Sequence, residues 1–330
     1  MSLRLLNNPP LVFLQTFGRR HAKSIHSFED GALDETSMLW ANRILGNQND
    51  DAVVEISFGN VSFLAEKDAH IALIGAEMPF SINEKDYPMQ GTHFVKKGDV
   101  LKFGYFSQHL RTYLSVRGGF GLSENFQDHE TSKNPEKTVK NAEIAGKKLK
   151  KDDRLFFTDT SSFVAYDREN DAAFSRCFPK SISSQYLPVY QDPLQLRLVE
   201  GYQSSLFSAD LRQFFYDQKY LILGHSNSLA YHLCAPQFQE DVKKELLRWQ
   251  LEPSPICYGT VSLSFDDEVV ISLRDHFCLS SSPKIGSILP IDAHKLAQLS
   301  PGQRVCFLPY DLDDAQKVMH AYDSFFALNN

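Results

Sequence analysis

Residues 30–59 read DGALDETSMLWANRILGNQNDDAVVEISFG, a run in which a capped helix, a glycine stop and an alternating strand follow one another. Asp34 is suited to cap a helix, because a short carboxylate just ahead of it accepts from exposed first-turn amides. Glu35 adds negative charge where the helix dipole is positive, and Arg43 sits near the negative end. Met38, Ala41 and Leu45 fall at helical spacing, and Gly46 supplies the stop. After the polar turn 47–51, residues 53–58 alternate as a half-buried strand should. Polar residues near element ends ordinarily hold backbone, so Asn42 and Glu55 read first as scaffold.

A chain of 330 residues can bury a large core and exceeds one typical domain, which predicts two domains or one with a deep internal division. A hydrophobic fraction of 42% fits a folded soluble protein. The net charge of −7 argues against a dedicated nucleic-acid binder, since neutralising phosphates needs a clustered cationic surface. The opening MSLRLLNNPPLVFLQTFGRR lacks a signal-peptide apolar core and cleavage site, and no later run approaches a membrane span, so a cytoplasmic protein without membrane contact is expected. Cys177, Cys234, Cys257, Cys278 and Cys306 are scattered without CxxC spacing, which predicts buried free thiols and neither a disulfide framework nor a metal site.

Further along, short strands are expected at 11–15, 61–64, 71–74 and 113–116, and Gly98-Asp99 lies between two apolar runs as in a hairpin. The last of these strands ends at Gly118-Gly119, where missing β-carbons permit positive φ and bring N–H groups close to a neighbour. With Arg111 and Arg117 nearby, such amides could hold a carboxylate or a developing oxyanion. Residues 128–153 are rich in Lys, Glu, Asn and Thr, a composition of mobile excursions, and 180–193 read as an outer connection. The second half offers strands at 196–199, 220–223 and 305–308. It also offers helices capped by Ser208 and Asp292, a helical face at 237–250 and a closing helix at 313–326. Many short strands between turns predict a mainly β fold with a few short helices, a barrel or sandwich rather than a βαβ sheet. No GxxxxGK[ST], GxGxxG, HExxH or GxSxG pattern is present, and Gly224-His225-Ser226 lacks an identified base partner, so Ser and His there read as structural.

GALDETSMLWANRILGN with AVVEISFG, and LRTYLSVRGG, resemble GALDxxSxxxANxxLGN…AxxExxxG and GxRxYLAVxGG of the family formed by allophanate hydrolase subunit 2 and the 5-oxoprolinase C component, which includes the A–B half of urea carboxylase's carboxyltransferase domain. The resemblance implies a cyclophilin-like β-barrel architecture in two pseudo-domains, subdomain A-like over 1–190 and subdomain B-like over 191–330. It implies a companion subunit similar to allophanate hydrolase subunit 1 or the 5-oxoprolinase B component. The reaction implied is ATP-dependent opening of 5-oxoproline or carboxyl transfer from carboxybiotin, on a small cyclic amide or urea-derived substrate. ATP or carboxybiotin enters through the resemblance alone. The site implied uses Arg111, Arg117, Asn227 and Asp275 for catalysis, with Gly118, Gly119, Asn42, Glu55 and Ser226 binding substrate. Departures cluster outside the opening motifs. Thr16 stands where the family has aspartate, SNSLAYHL (226–233) replaces SNRMGYRL, and LRDHFCLSSSPKIG (273–286) replaces LxDxQTTGGYPKIG. These losses leave open a second reading, a non-catalytic regulatory binding protein like the family's antagonist of a histidine-kinase inhibitor.

Overall fold

The structure, a computed structural model, describes residues 2–17, 31–121, 146–157, 181–234, 251–264, 268–274, 276 and 278–328. Gly18-Arg19-Arg20, most of the polar excursion (128–145), the helical face at 237–250, Cys177 and Asp275 lie outside the described residues. The chain divides into two compact units, Met1–Arg19 with Asp34–Leu187, and Arg20–Leu33 with Pro188–Asn330.

The first unit contains two antiparallel sheets. One orders Phe120–Gly121, Arg154–Phe157, Ser2–Leu5, Gly59–Ala65, Val100–Tyr105, Phe80–Ile82 and Lys85–Asp86. The other orders Lys147–Lys148, Leu11–Gln15, Val53–Ser57, Gln108–Val116, Ala69–Glu77 and Gly91–Val95. Side chains from both sheets, among them Leu3, Phe63, Phe103, Val54, Ile56 and Leu114, form one apolar cluster, the arrangement that sheets with one apolar face each require.

The opening run folds as its caps dictate. Asp34 accepts from Ser37 N at 3.0 Å and from Ser37 Oγ at 2.6 Å, starting the helix Glu35–Arg43. The strand behaves differently from its pattern: all five residues of Val53–Ser57 are buried, not one face of them. The reason is tertiary. Val54 and Ile56 join the apolar cluster, while the helix packs over the Gln108–Val116 and Ala69–Glu77 strands of the same sheet. Gly98 does adopt a turn, with φ of 93°, but it makes no hairpin. Gly91–Val95 pairs with Ala69–Glu77, and Val100–Tyr105 pairs with Gly59–Ala65 in the other sheet. The turn is instead tied to Ala65, whose carbonyl accepts from Gly98 N at 2.7 Å and whose N–H donates to Asp99 O at 2.9 Å.

The second unit holds a closed barrel in the order Leu194–Glu200, Lys284–Ile288, Thr260–Leu263, Glu268–Ser272, Ala230–Cys234, Tyr220–Ile222 and Arg304–Pro309. It closes where Leu194–Glu200 runs parallel to Arg304–Pro309. Closure removes sheet edges and lets alternate residues such as Leu196, Leu198, Val269, Ile271 and Leu233 fill the interior. The chain is thus mainly β with four α-helices among the described residues, consistent with the cyclophilin-like architecture implied by its motifs.

Ser208 caps the helix Ala209–Asp217 through Leu211 N at 3.3 Å, as expected. Asp292 does not cap. The helix Pro290–Leu296 starts with Leu289 at its N-cap and proline in its first turn, and the Asp292 carboxylate turns to Arg197. The closing helix Leu312–Phe326 is capped by Asp311. No helix of the described residues is long and apolar enough to cross a membrane.

Candidate functional site

Two buried polar networks converge on the strand Gln108–Val116. In the first, the Tyr113 hydroxyl accepts from Asp34 N at 2.8 Å and donates to Glu55 Oε2 at 2.8 Å. Glu55 also lies 3.7 Å from Arg111 Nε, with both side chains almost wholly enclosed. The Arg111 charge therefore has a carboxylate beside it inside the fold. Burial, then the charges of Glu55 and Asp34, push the Tyr113 phenol well above its ordinary range, which keeps it a hydroxyl donor.

In the second network, Asn42 is fully buried and donates through Nδ2 to Asp51 O at 2.8 Å. Its Oδ1 accepts from Ser115 Oγ at 2.7 Å and from Asn47 Nδ2 at 3.3 Å. Asn47 in turn donates to Val116 O at 2.7 Å and accepts from Gly118 N at 2.9 Å. Gly119 N donates to Val116 O at 3.0 Å. Both glycines adopt positive φ, 90° and 72°, and a β-carbon on Gly119 would stand 2.9 Å from that of Asp51. The turn is thus built as the sequence suggests, with both of its amides donating to groups of the chain itself.

Arg117 is half-buried at the end of this strand, and its N–H donates to His70 O at 2.9 Å. Burial, and secondarily the Arg117 guanidinium, push the His70 imidazole down to about 4. A recess of about 540 Å³ in this unit is lined by residues including Glu77, Phe80, Tyr87 and Gln90, and by none of the site residues that the motifs suggest.

In the second unit, Ser226 and Asn227 come together in one turn. Asn227 Oδ1 accepts from Leu229 N at 2.8 Å, an Asx turn, and Ser226 Oγ accepts from His232 N at 3.0 Å. Beside them, Glu268 Oε2 lies 3.2 Å from His225 Nε2 and 2.7 Å from His232 Nδ1.

Lys284 is a group that motif reading passed over. It is buried, its Nζ donates to Ser254 Oγ at 2.6 Å, Ser280 O at 2.9 Å and Ser282 O at 3.2 Å, and its N–H donates to Gln203 Oε1 at 2.9 Å. Three acceptors match the three donors of an ammonium, and burial pulls this amine below the usual lysine range. The available signal was the intact PKIG segment at 283–286, in which Lys284 survives among lost neighbours.

A mainly β chain with a closed barrel and a capped helix–strand opening has known counterparts. The family model for the carboxyltransferase domain, subdomain A and B, matches residues 29–309, and the chain belongs to that family. Over 324 residues it is 22% identical to the C component of 5-oxoprolinase from Escherichia coli, covering 98% of this chain and 96% of that protein. It is also 22% identical over 308 residues to urea amidolyase of Saccharomyces cerevisiae, covering 89% of this chain but only 16% of that one. The crystal structure of the K. lactis urea amidolyase superposes with a TM-score of 0.78 at 21% identity, over 98% of this chain and 20% of that chain.

Proposed function

We propose that this chain is one subunit of a 5-oxoprolinase-type complex and works with a companion subunit similar to the 5-oxoprolinase B component. The observation that carries this reading is mutual coverage: the chain matches 96% of a free-standing 5-oxoprolinase C component but 16% of a urea amidolyase. The substrate on this reading is 5-oxoproline, a small cyclic amide whose oxygen gains negative charge when the ring opens, so fixed donors and a cation favour reaction. Arg117, half-buried beside Gly118, is the first unit's proposed carboxylate-binding cation, with Arg111, Glu55, Asn42, Gly118 and Gly119 positioning its strand. In the second unit Asn227 and Asp275 are retained as proposed catalytic groups and Ser226 as a substrate-binding group, while the Lys284 ammonium, held by Ser254, Ser280 and Ser282, braces the segment around it.

ATP does not fit the Gly118-Gly119 turn, because both amides already donate to Asn47 and Val116. ATP, or carboxybiotin for a carboxyl-transfer reaction, belongs in this reading to the assembled complex. The test is reconstitution with companion subunits and an assay of 5-oxoproline-dependent ATP hydrolysis. Turnover that disappears when this chain is omitted, and whose KM for 5-oxoproline rises in Arg117→Ala, is the expected result. Turnover unaffected by omitting the chain would refute the proposal.

A second reading, a non-catalytic regulatory binding protein, is favoured by the commitment of the Gly118, Gly119 and Asn227 polar groups to internal bonds. It expects stable co-purification with a companion protein and no turnover.

A further inference from the structure

The strands Ala230–Cys234 and Glu268–Ser272 pair with His232 opposite Val270, so Glu268, two residues from Val270, is the diagonal neighbour of His232 on the same sheet face. That face is the barrel exterior, because the intervening residues Tyr231, Leu233 and Val269 belong to the interior cluster. His225 arrives from the turn that follows Tyr220–Ile222 and packs against His232 with ring centroids 4.4 Å apart and planes tilted by 52°. The turn is clipped to the strand at His232: its N–H donates to Ser226 Oγ, and its carbonyl accepts from Leu223 N at 2.8 Å. Backbone therefore brings two imidazoles and one carboxylate to one point.

At that point one carboxylate oxygen faces both rings, at 3.2 Å from His225 Nε2 and 2.7 Å from His232 Nδ1, and one ligating atom from each residue lies within 4.8 Å of the others. Tetrahedral zinc with bonds of about 2.0–2.2 Å sets its donors roughly 3.3–3.5 Å apart. Glu268 Oε2 already stands close to that spacing from His225 Nε2 at 3.2 Å, and a further separation of about 0.6–0.8 Å between Glu268 Oε2 and His232 Nδ1, 2.7 Å apart, brings the second pair to it. Two imidazoles with one carboxylate form a donor set for borderline transition ions, whereas Mg²⁺ and Ca²⁺ favour oxygen ligands throughout. Three protein ligands also leave a position for water, as in zinc sites that bind exchangeable groups.

We propose that His225 Nε2, His232 Nδ1 and Glu268 Oε2 form a binding site for one first-row divalent transition ion, with water completing its coordination. Each imidazole would ligate through a nitrogen lone pair and Glu268 through its carboxylate oxygen, so the ion takes the same lone pairs that a proton would use. The site stands on this geometry alone and is independent of the proposed 5-oxoproline reaction.

The test is titration of the metal-stripped full chain with Zn²⁺ against a chromophoric chelator, with thermal unfolding read in parallel. One equivalent of saturable Zn²⁺ is expected, with a raised Tm on binding. His232→Ala and Glu268→Gln should weaken it by roughly tenfold or more, the scale that even outer partners of a metal command. His225→Asn, a change at a mostly exposed side chain, keeps the test meaningful should either of the others misfold. His320→Ala, on an exposed helix position, should bind as the wild type does. Absence of saturable binding in the wild type, or equal affinity in His225→Asn and wild type, overturns the site. Displacement by Mg²⁺ at equal concentration overturns its assignment to a transition ion.

Discussion

Asn42→Ala is the sharpest probe of the network that holds the Gly118-Gly119 turn. Asn42 is fully buried and makes three side-chain bonds, at 2.8 Å to Asp51 O, 2.7 Å from Ser115 Oγ and 3.3 Å from Asn47 Nδ2. Truncation leaves the Asp51 carbonyl and the Ser115 O–H without these partners, at about 1–3 kcal/mol for each buried group. The space left by the amide adds about 1 kcal/mol. Ser115 Oγ still accepts from Asn47 at 3.1 Å, which limits the loss on that side and puts the total near 3 kcal/mol, by the same estimates. Urea denaturation of the full chain should show the first unit's midpoint falling by about 1.5 M, for m near 2 kcal/mol/M, with m unchanged. Ser115→Ala should cost less, and the double variant should fall short of the summed losses by about 1 kcal/mol, because the two side chains share a bond. A loss below about 1 kcal/mol for Asn42→Ala, on that scale, or strictly additive effects, would refute a supporting role. A loss of activity without any loss of stability would move Asn42 from scaffold to substrate contact.

The remaining expectations follow from single contacts. Arg197 grips the buried Asp292 with Nε at 2.8 Å and Nη2 at 2.7 Å, so Arg197→Ala strands a buried carboxylate and should cost about 3 kcal/mol by thermal unfolding. Arg197→Lys should recover only part of this, because lysine lacks the two-pronged geometry. Tyr113→Phe removes the hydroxyl between Asp34 and Glu55 and should cost about 2 kcal/mol; an unchanged urea midpoint would show that the bridge is dispensable. His70 sits near 4 in the folded chain against an ordinary 6.5, so the unfolded state takes up its proton first as pH falls. Stability should then drop between pH 6.5 and 4, by about 1–2 kcal/mol once solvent screening halves the full conversion. His93 and His109 are shifted in the same direction by burial, so the comparison is with His70→Gln, whose pH slope over that window should be shallower. Equal slopes would remove His70 from the balance.

The legible parts of the chain are those whose partners lie close in sequence. Asp34 and Ser208 each bond an amide three residues ahead, so a capping residue before an apolar repeat was enough to place both helix starts. The short strands between turns gave the mainly β class in the same local way. Gly118 and Gly119 announced a positive-φ turn, but the acceptor of the Gly118 amide is Asn47, 71 residues away, and no spacing encodes that. The burial of Val53–Ser57 on both faces depends on a helix that packs over the neighbouring strands of its sheet. Asp292 carries the signature of a cap, yet a guanidinium 95 residues earlier claims its carboxylate. In each case the local pattern was readable, and the partner that decided the outcome lies on an element distant in sequence.

The same distinction bears on how the second unit's departures from its family pattern are understood. His232 occupies a position where the related motif carries arginine, and taken alone that exchange is the loss of a cation. In the fold it stands 2.7 Å from Glu268, 36 residues on, with His225 at 3.2 Å from the same oxygen. An arginine there could pair with the carboxylate but could not ligate an ion, since its nitrogens carry no available lone pair, whereas imidazole accepts either a proton or a metal. The exchange therefore alters the kind of ligand the turn can hold, and its chemistry becomes readable only when the strand carrying Glu268 is laid beside it.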